Sequence, residues 1–340
     1  MYVPPVPRSF PRFTPAFQVI IKHRAPDESV KIVESIFNCF NSRYVYLSYE
    51  DHDLVTANVQ AVTHAAFLTY RSSFPSLPAL VHVSHASMGT AWAAQRSYPW
   101  EQGQYVGGIE TVKVNNMLRI YANKWHVYAG LALLNPSAKI QIDTYASSAS
   151  DLFKLMIAGD YPTLRQRVFT SREKVFGVKE HEDGGSTTIF LTEDVLDQFT
   201  IGGSPRRSKS FPPGNNSHLA LLAMVDCWAR LSIQPFDHLA LAATPVFRMW
   251  IGVAEYLFRS VSRLEAAVHA AVYEVAHRSD DLEFVVAAQG WSQCVSFGNF
   301  ELYKERFMHT ASFFESRFEE ANKIGGAMIK AIVESKSTKN

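Results

Sequence analysis

Residues 107–135 read GGIETVKVNNMLRIYANKWHVYAGLALLN and form the stretch that decides the fold. The run is apolar and aromatic at helical spacing, begins with two glycines and ends at an Asn-Pro pair. Its single arginine, Arg119, lies among residues that we expect to be buried. Because a buried guanidinium group needs a partner, Arg119 predicts an anion-binding site. The alternative is a structural ion pair between Arg119 and Glu110 or another acidic residue.

The composition is that of a globular protein. The chain has 340 residues, of which 47% are hydrophobic and 19% charged, so it can bury a large core. A net charge of +1 predicts neither a nucleic-acid partner nor an anionic membrane surface. No apolar run reaches the roughly 18 residues of a membrane-spanning helix. Three widely separated cysteines favour a reducing compartment, and we therefore predict a cytoplasmic protein.

The first 50 residues contain a β-α-β pattern. Residues 17–22 and 44–48 read as strands, and residues 26–40 between them read as a helix with acidic residues in its first turn. The two strands should be parallel. Parallel sheets are usually larger and covered on both faces, so we interpret this unit as a remnant of a larger dinucleotide-binding sheet.

Helical spacing dominates the rest of the chain, which predicts a mainly α protein. An Asn-Pro-Ser sequence should end one helix at Asn135 and begin another, with Ser137 as its N-cap. Residues 69–86 contain two prolines and interrupt an otherwise helical pattern, so we expect an insert there. Further helices are predicted over residues 151–158, 164–176, 219–231, 246–258, 263–275 and, in several pieces, 300–332.

Other candidate site residues are few. No glycine-rich phosphate loop of the GxGxxG or P-loop type occurs. His82 and His85 have a spacing that suits a metal, but no carboxylate or cysteine accompanies them, so we predict no metal site. His52, between two aspartates, belongs either to a helix start or to a site. His64 lies in an apolar helix, where a lone histidine is usually structural.

Several phrases resemble the fungal prephenate dehydrogenases, which use NADP in tyrosine biosynthesis. They include YVYLSYEDHDLVTANVQAVTHAAFL, SMGTAW, the stretch quoted first, NSHLALLAMVDCW, PFDHLALAATPVFRMWIGVAEYLF and FEEANKIGGAMIKAI. The resemblance implies oxidative decarboxylation of prephenate to 4-hydroxyphenylpyruvate. It implies that Arg119 binds a substrate carboxylate and that Gly107 and Gly108 let the backbone approach the substrate. His64 matches the first histidine of a bacterial Ser-His-Leu-Pro-His motif, whereas Phe67 replaces the second.

The sequence also departs from the family. The family places a Rossmann domain with its glycine fingerprint, and a catalytic histidine in a His-Gly-Pro type motif, ahead of the helical region. Neither motif is found here, so we expect an unrelated leader over 1–16, a remnant of the cofactor domain over 17–50, and a helical substrate-binding and dimerisation domain over 51–340. The latter should resemble the C-terminal domain of 6-phosphogluconate dehydrogenase.

These departures leave two functional hypotheses. In the first, the chain is a truncated prephenate dehydrogenase that binds prephenate, forms a homodimer, contains no catalytic residue of its own and is inactive as written. In the second, it is a non-catalytic helical module for dimerisation or effector binding.

Overall fold

The computed structural model describes residues 17–40, 43–69, 108–180, 182–183, 191, 196, 199, 216–237, 245–275 and 277–337. The predicted leader, most of the predicted insert, and the histidines at positions 82 and 85 lie outside these residues.

The N-terminal described segment is the predicted β-α-β unit. Strand β1 (Phe17–Ile21), helix α1 (Asp27–Phe37) and strand β2 (Arg43–Leu47) follow in order, and the two strands are parallel. Helix α1 has no buried residue, and Ile32 and Ile36 are each 60% exposed. The apolar face of α1 is therefore uncovered by the described residues.

The remainder of the described chain is helical, as predicted. The helices are α2 (Tyr49–Thr69), α3 (Gly108–Tyr121), α4 (Trp125–Leu134), α5 (Pro136–Ala158), α6 (Tyr161–Phe176), α7 (Leu219–Leu231), α8 (Pro245–Arg259), α9 (Val261–Tyr273), α10 (Arg278–Phe297), α11 (Phe300–Phe314) and α12 (Phe318–Ser337).

Helices α2 and α5 lie at the centre of the helical body. Helix α2 packs against α3, α5 and α10, and α5 also packs against α7. Small buried residues such as Ala57, Ala61 and Ala65 allow other helices to approach α2 closely. Three fully buried tryptophans from α7, α8 and α10 fill the core.

The stretch over 107–135 differs from the single helical run that we predicted. Helix α3 ends at Tyr121 and α4 begins at Trp125, so the run is two helices. The side-chain amide of Asn123 donates to the carbonyl of Arg119 at 2.9 Å. Such local bonds from asparagine compete with helical bonding and help to end α3 here.

The next helix boundary was predicted at the right place with the wrong cap. The N-cap of α5 is Asn135, whose side chain accepts from the backbone N–H of Ala138 at 3.1 Å, and Pro136 occupies the first turn. Asn135 also donates to the carbonyl of Asp53 at 2.9 Å, which ties the start of α5 to α2.

Within the described ranges, no helix is both long and apolar enough to cross a membrane.

Candidate functional site

Arg119 lies in the last turn of α3, against α12. A Cβ atom added to Gly325 of α12 would lie 2.5 Å from Cδ and 2.9 Å from Nε of Arg119. Only a residue without a side chain therefore fits at position 325 while Arg119 keeps its place. The close approach of α12 holds the stem of Arg119 in one position.

The guanidinium group of Arg119 is left without a protein partner at one nitrogen. Nη1 is shielded from solvent and has no hydrogen-bond partner among the described residues. Burial lowers the pKa of Arg119, and the nearby phenol of Tyr128 opposes that shift. A buried donor without an acceptor is costly, so this nitrogen fits an anionic ligand.

The alternative ion pair with Glu110 is not formed. The Glu110 carboxylate instead lies 2.8 Å from Lys113 Nζ and 3.1 Å from His218 Nδ1, and it accepts from the side-chain amide of Asn216. Lys113 and His218 keep the pKa of Glu110 well below its usual range despite its burial. This buried cluster at the start of α3 accounts for Glu110 without Arg119.

Tyr128 connects Arg119 with His64. Its hydroxyl accepts from the side-chain amide of Asn123 at 3.0 Å, and its ring contacts the ring of His64 edge-on, with centroids 4.8 Å apart. The sequence analysis did not single out Tyr128. Its position nine residues after Arg119 reaches the site only because the chain turns at Asn123.

His64 lines a small, mainly apolar cavity. Tyr128, Trp291 and Tyr303 line it as well, together with aliphatic residues of α2, α4, α5 and α10. His64 Nδ1 has no hydrogen-bond partner among the described residues, and burial lowers the pKa of His64 to about 4. The ring is therefore uncharged at neutral pH, where it can form one neutral hydrogen bond to a ligand.

The two glycines of the motif differ in what can be said of them. Gly107 lies outside the described residues. Gly108 begins α3 with a φ of +54°, and nothing lies within 4 Å of the position that a Cβ would occupy. The left-handed backbone conformation explains the glycine at position 108.

His52 lies in the first turn of α2. Its Nδ1 is 3.2 Å from Asp53 Oδ1, and Ser48 Oγ accepts from the backbone N–H of Asp51 at 3.0 Å. These contacts are those of a helix start, which is the structural alternative that we considered for this histidine.

The turn between β1 and α1 does not fit a dinucleotide phosphate. It contains no glycine, and α1 begins with Asp27 and Glu28, whose charges oppose a phosphate at a helix N-terminus. Asp27 is in addition paired with Lys22.

Comparison with known proteins identifies the relatives of this chain. Residues 79–334 match the family model of the 6-phosphogluconate dehydrogenase C-terminal domain. The chain is 45% identical over 326 residues to a probable prephenate dehydrogenase [NADP(+)] of Schizosaccharomyces pombe, covering 95% of this chain and 70% of that protein. It is 44% identical over 326 residues to the prephenate dehydrogenase [NADP(+)] of Saccharomyces cerevisiae, covering 95% of this chain and 67% of that protein.

No solved structure matches the chain. The identity to two yeast proteins over almost its whole length, together with the matching helical domain, shows that the chain belongs to the family of fungal NADP-dependent prephenate dehydrogenases.

Proposed function

We propose that this chain serves the prephenate dehydrogenase reaction, the NADP-dependent oxidative decarboxylation of prephenate to 4-hydroxyphenylpyruvate in tyrosine biosynthesis. The yeast relatives carry that activity in their names. The observation that carries the proposal in this chain is the buried, unpartnered Nη1 of Arg119. NADP, when bound, supplies the hydride acceptor, and we assign none of the described residues to it.

The helical residues would bind and orient prephenate. Arg119 offers a guanidinium fork, which suits a carboxylate better than an ammonium group would. His64, uncharged at neutral pH, offers one neutral hydrogen bond, and Tyr128 between them offers an aromatic wall for the ring. Gly107 and Gly108 remain, in this proposal, the residues that let the backbone approach the substrate.

The proposal is tested by titrating the full chain with prephenate in a calorimeter. Replacing Arg119 with Ala removes a charge-assisted bond of about 1.5–3 kcal/mol, which weakens affinity by roughly 10- to 100-fold. The matched control is Arg230→Ala, because Arg230 also lies in the last turn of a helix but is 41% exposed and faces Asp151. Equal prephenate affinity of the wild type and Arg119→Ala would contradict the assignment.

A second proposal is that the chain binds its ligand without catalysis. The β1–α1 turn, which does not fit a dinucleotide phosphate, favours it. Assaying NADPH formation with the same preparation separates the two proposals. Prephenate binding without NADPH formation supports the second, and prephenate-dependent NADPH formation rejects it.

We also propose a homodimer in the cytoplasm, with residues 17–50 belonging to the cofactor domain and residues 51–340 to the substrate-binding and dimerisation domain. Exposed apolar side chains around the α4–α5 junction support the dimer, namely Val127, Leu134 and Ile140, which are 58%, 70% and 60% exposed. Light scattering that gives the mass of a monomer at micromolar concentration would contradict it.

A further inference from the structure

A second buried polar group without a partner lies beside Arg119. Asn116 precedes Arg119 by three residues in α3, so the two side chains are neighbours on one side of the helix, about one turn apart. Asn116 is 0% exposed, and neither Oδ1 nor Nδ2 has a hydrogen-bond partner among the described residues.

The neighbouring asparagine shows what a structural role looks like in this helix. Asn115 is equally buried, but its Nδ2 donates to the backbone carbonyl of Ala321 at 2.8 Å and so joins α3 to α12. Asn116 makes no such bond. An apolar side chain of the same size would pack there without leaving two polar atoms unsatisfied, so the fold does not explain the amide.

Lys113, one further turn back on the same side of α3, is already satisfied. Its ammonium group binds Glu110 and lies 3.3 Å from His218 Nδ1. The unsatisfied polar atoms on this side of α3 are therefore those of Asn116 and Arg119. Arg119 is partly exposed, so a ligand that enters at Arg119 meets Asn116 next.

We propose that Asn116 binds the ring hydroxyl of the substrate while Arg119 binds a carboxylate. The inference rests on the proposed function. A carboxamide can donate and accept, and a hydroxyl group can do both in return, whereas a carboxylate would use only the N–H. Prephenate carries its hydroxyl and its ring carboxylate on opposite ring carbons, which suits two binding groups about 5 Å apart on successive turns.

The experiment compares two ligands that differ only in the hydroxyl group, 4-hydroxyphenylpyruvate and phenylpyruvate, by calorimetry with the full chain. A site that bonds a hydroxyl discriminates against the analogue that lacks it. We expect the wild type to bind 4-hydroxyphenylpyruvate at least tenfold more tightly. In Asn116→Leu this ratio should fall to about one, whereas Arg119→Ala should weaken both ligands and keep the ratio.

Thermal unfolding without ligand provides the control for a structural role. Asn116→Leu should unfold at the same or a higher temperature than the wild type, because it removes two unsatisfied polar atoms. Asn115→Leu should unfold at a lower temperature, because it breaks the bond to Ala321. If Asn116→Leu does not fold, Asn116→Ser, whose side chain is too short to reach the hydroxyl, takes its place.

The outcomes separate this inference from the proposed function. If the ligands bind and Arg119→Ala weakens them while the ratio survives Asn116→Leu, the role of Asn116 is wrong and the proposed function stands. A wild type without preference between the ligands also overturns the role of Asn116. If the wild type binds neither these ligands nor prephenate, both proposals fail.

Discussion

Two arginines of the helical body are withdrawn from water, and they differ in what their guanidinium groups contact. Arg172 is 0% exposed and donates to backbone carbonyls of Phe258, Lys179, Glu182 and other residues at the ends of two helices. This is how a structural arginine is satisfied in this protein. Arg119 retains a buried nitrogen without an acceptor, which distinguishes it as a ligand-binding residue.

At the scale of the residue, His64 should contribute less to prephenate binding than Arg119. The pKa of about 4 keeps its ring uncharged at pH 7.5, and a neutral hydrogen bond is worth about 0.5–1.5 kcal/mol. We expect His64→Phe, which preserves the ring packing on Tyr128, to weaken prephenate binding about fivefold in a calorimetric titration.

The comparison with Arg119→Ala decides the charge on His64. A loss in His64→Phe as large as that in Arg119→Ala would show that the bound ligand holds His64 as an imidazolium ion.

At the scale of the element, the crossing of α12 over α3 depends on one of two adjacent glycines. Gly325 leaves no room for a Cβ beside Arg119 and Asn115, whereas nothing lies within 4 Å of a Cβ at Gly326. Both glycines lie inside the same helix, where glycine costs about 1 kcal/mol relative to alanine.

The two alanine variants should therefore behave in opposite ways. Gly326→Ala should raise the free energy of unfolding by about 0.5–1 kcal/mol in urea titrations. Gly325→Ala should lack that gain, because the new methyl group displaces Arg119, and it should weaken prephenate binding.

Equal stabilisation by both substitutions, with prephenate affinity unchanged, would show that α12 does not hold Arg119 in place.

At the scale of the whole molecule, two buried groups make stability depend on pH in opposite directions. Burial raises the pKa of Asp281 to about 7, although Ser217 donates to its carboxyl group at 2.7 Å. Between about pH 4 and pH 7 the folded protein therefore binds more protons at Asp281 than the unfolded chain, and stability falls as the pH rises. His64 has the opposite effect between about pH 4 and pH 6.5, because its folded pKa is lowered.

Asp281→Asn should remove the first of these effects. The variant and the wild type should be about equally stable at pH 4, and the variant should be more stable by about 1–3 kcal/mol at pH 8. In the variant, the contribution of His64 should then appear as a rise in stability between about pH 4 and pH 6.5.

Urea unfolding at a series of pH values measures both effects. A variant that is less stable than the wild type at pH 8 would show that the protein stabilises the ionised form of Asp281.

Part of the site followed from the sequence because the relevant signals are local. An arginine within an apolar helical run indicates Arg119, and family phrases indicate His64, at a distance of a few residues in either direction. The structure places both residues beside Tyr128. Tyr128 and Gly325 carried no local signal, because each matters only through residues that are distant in sequence.

By itself, the sequence determined the β-α-β unit, the helical body and most helix boundaries, since hydrophobic periodicity and Asn, Pro and Gly act within a few residues. Tertiary structure decided which polar groups found partners. Glu110 pairs with Lys113 and His218, Asn115 bonds Ala321, and Arg119 and Asn116 keep unsatisfied atoms. Hydrogen bonding between distant segments depends on how the helices pack, and periodicity along the chain does not specify it.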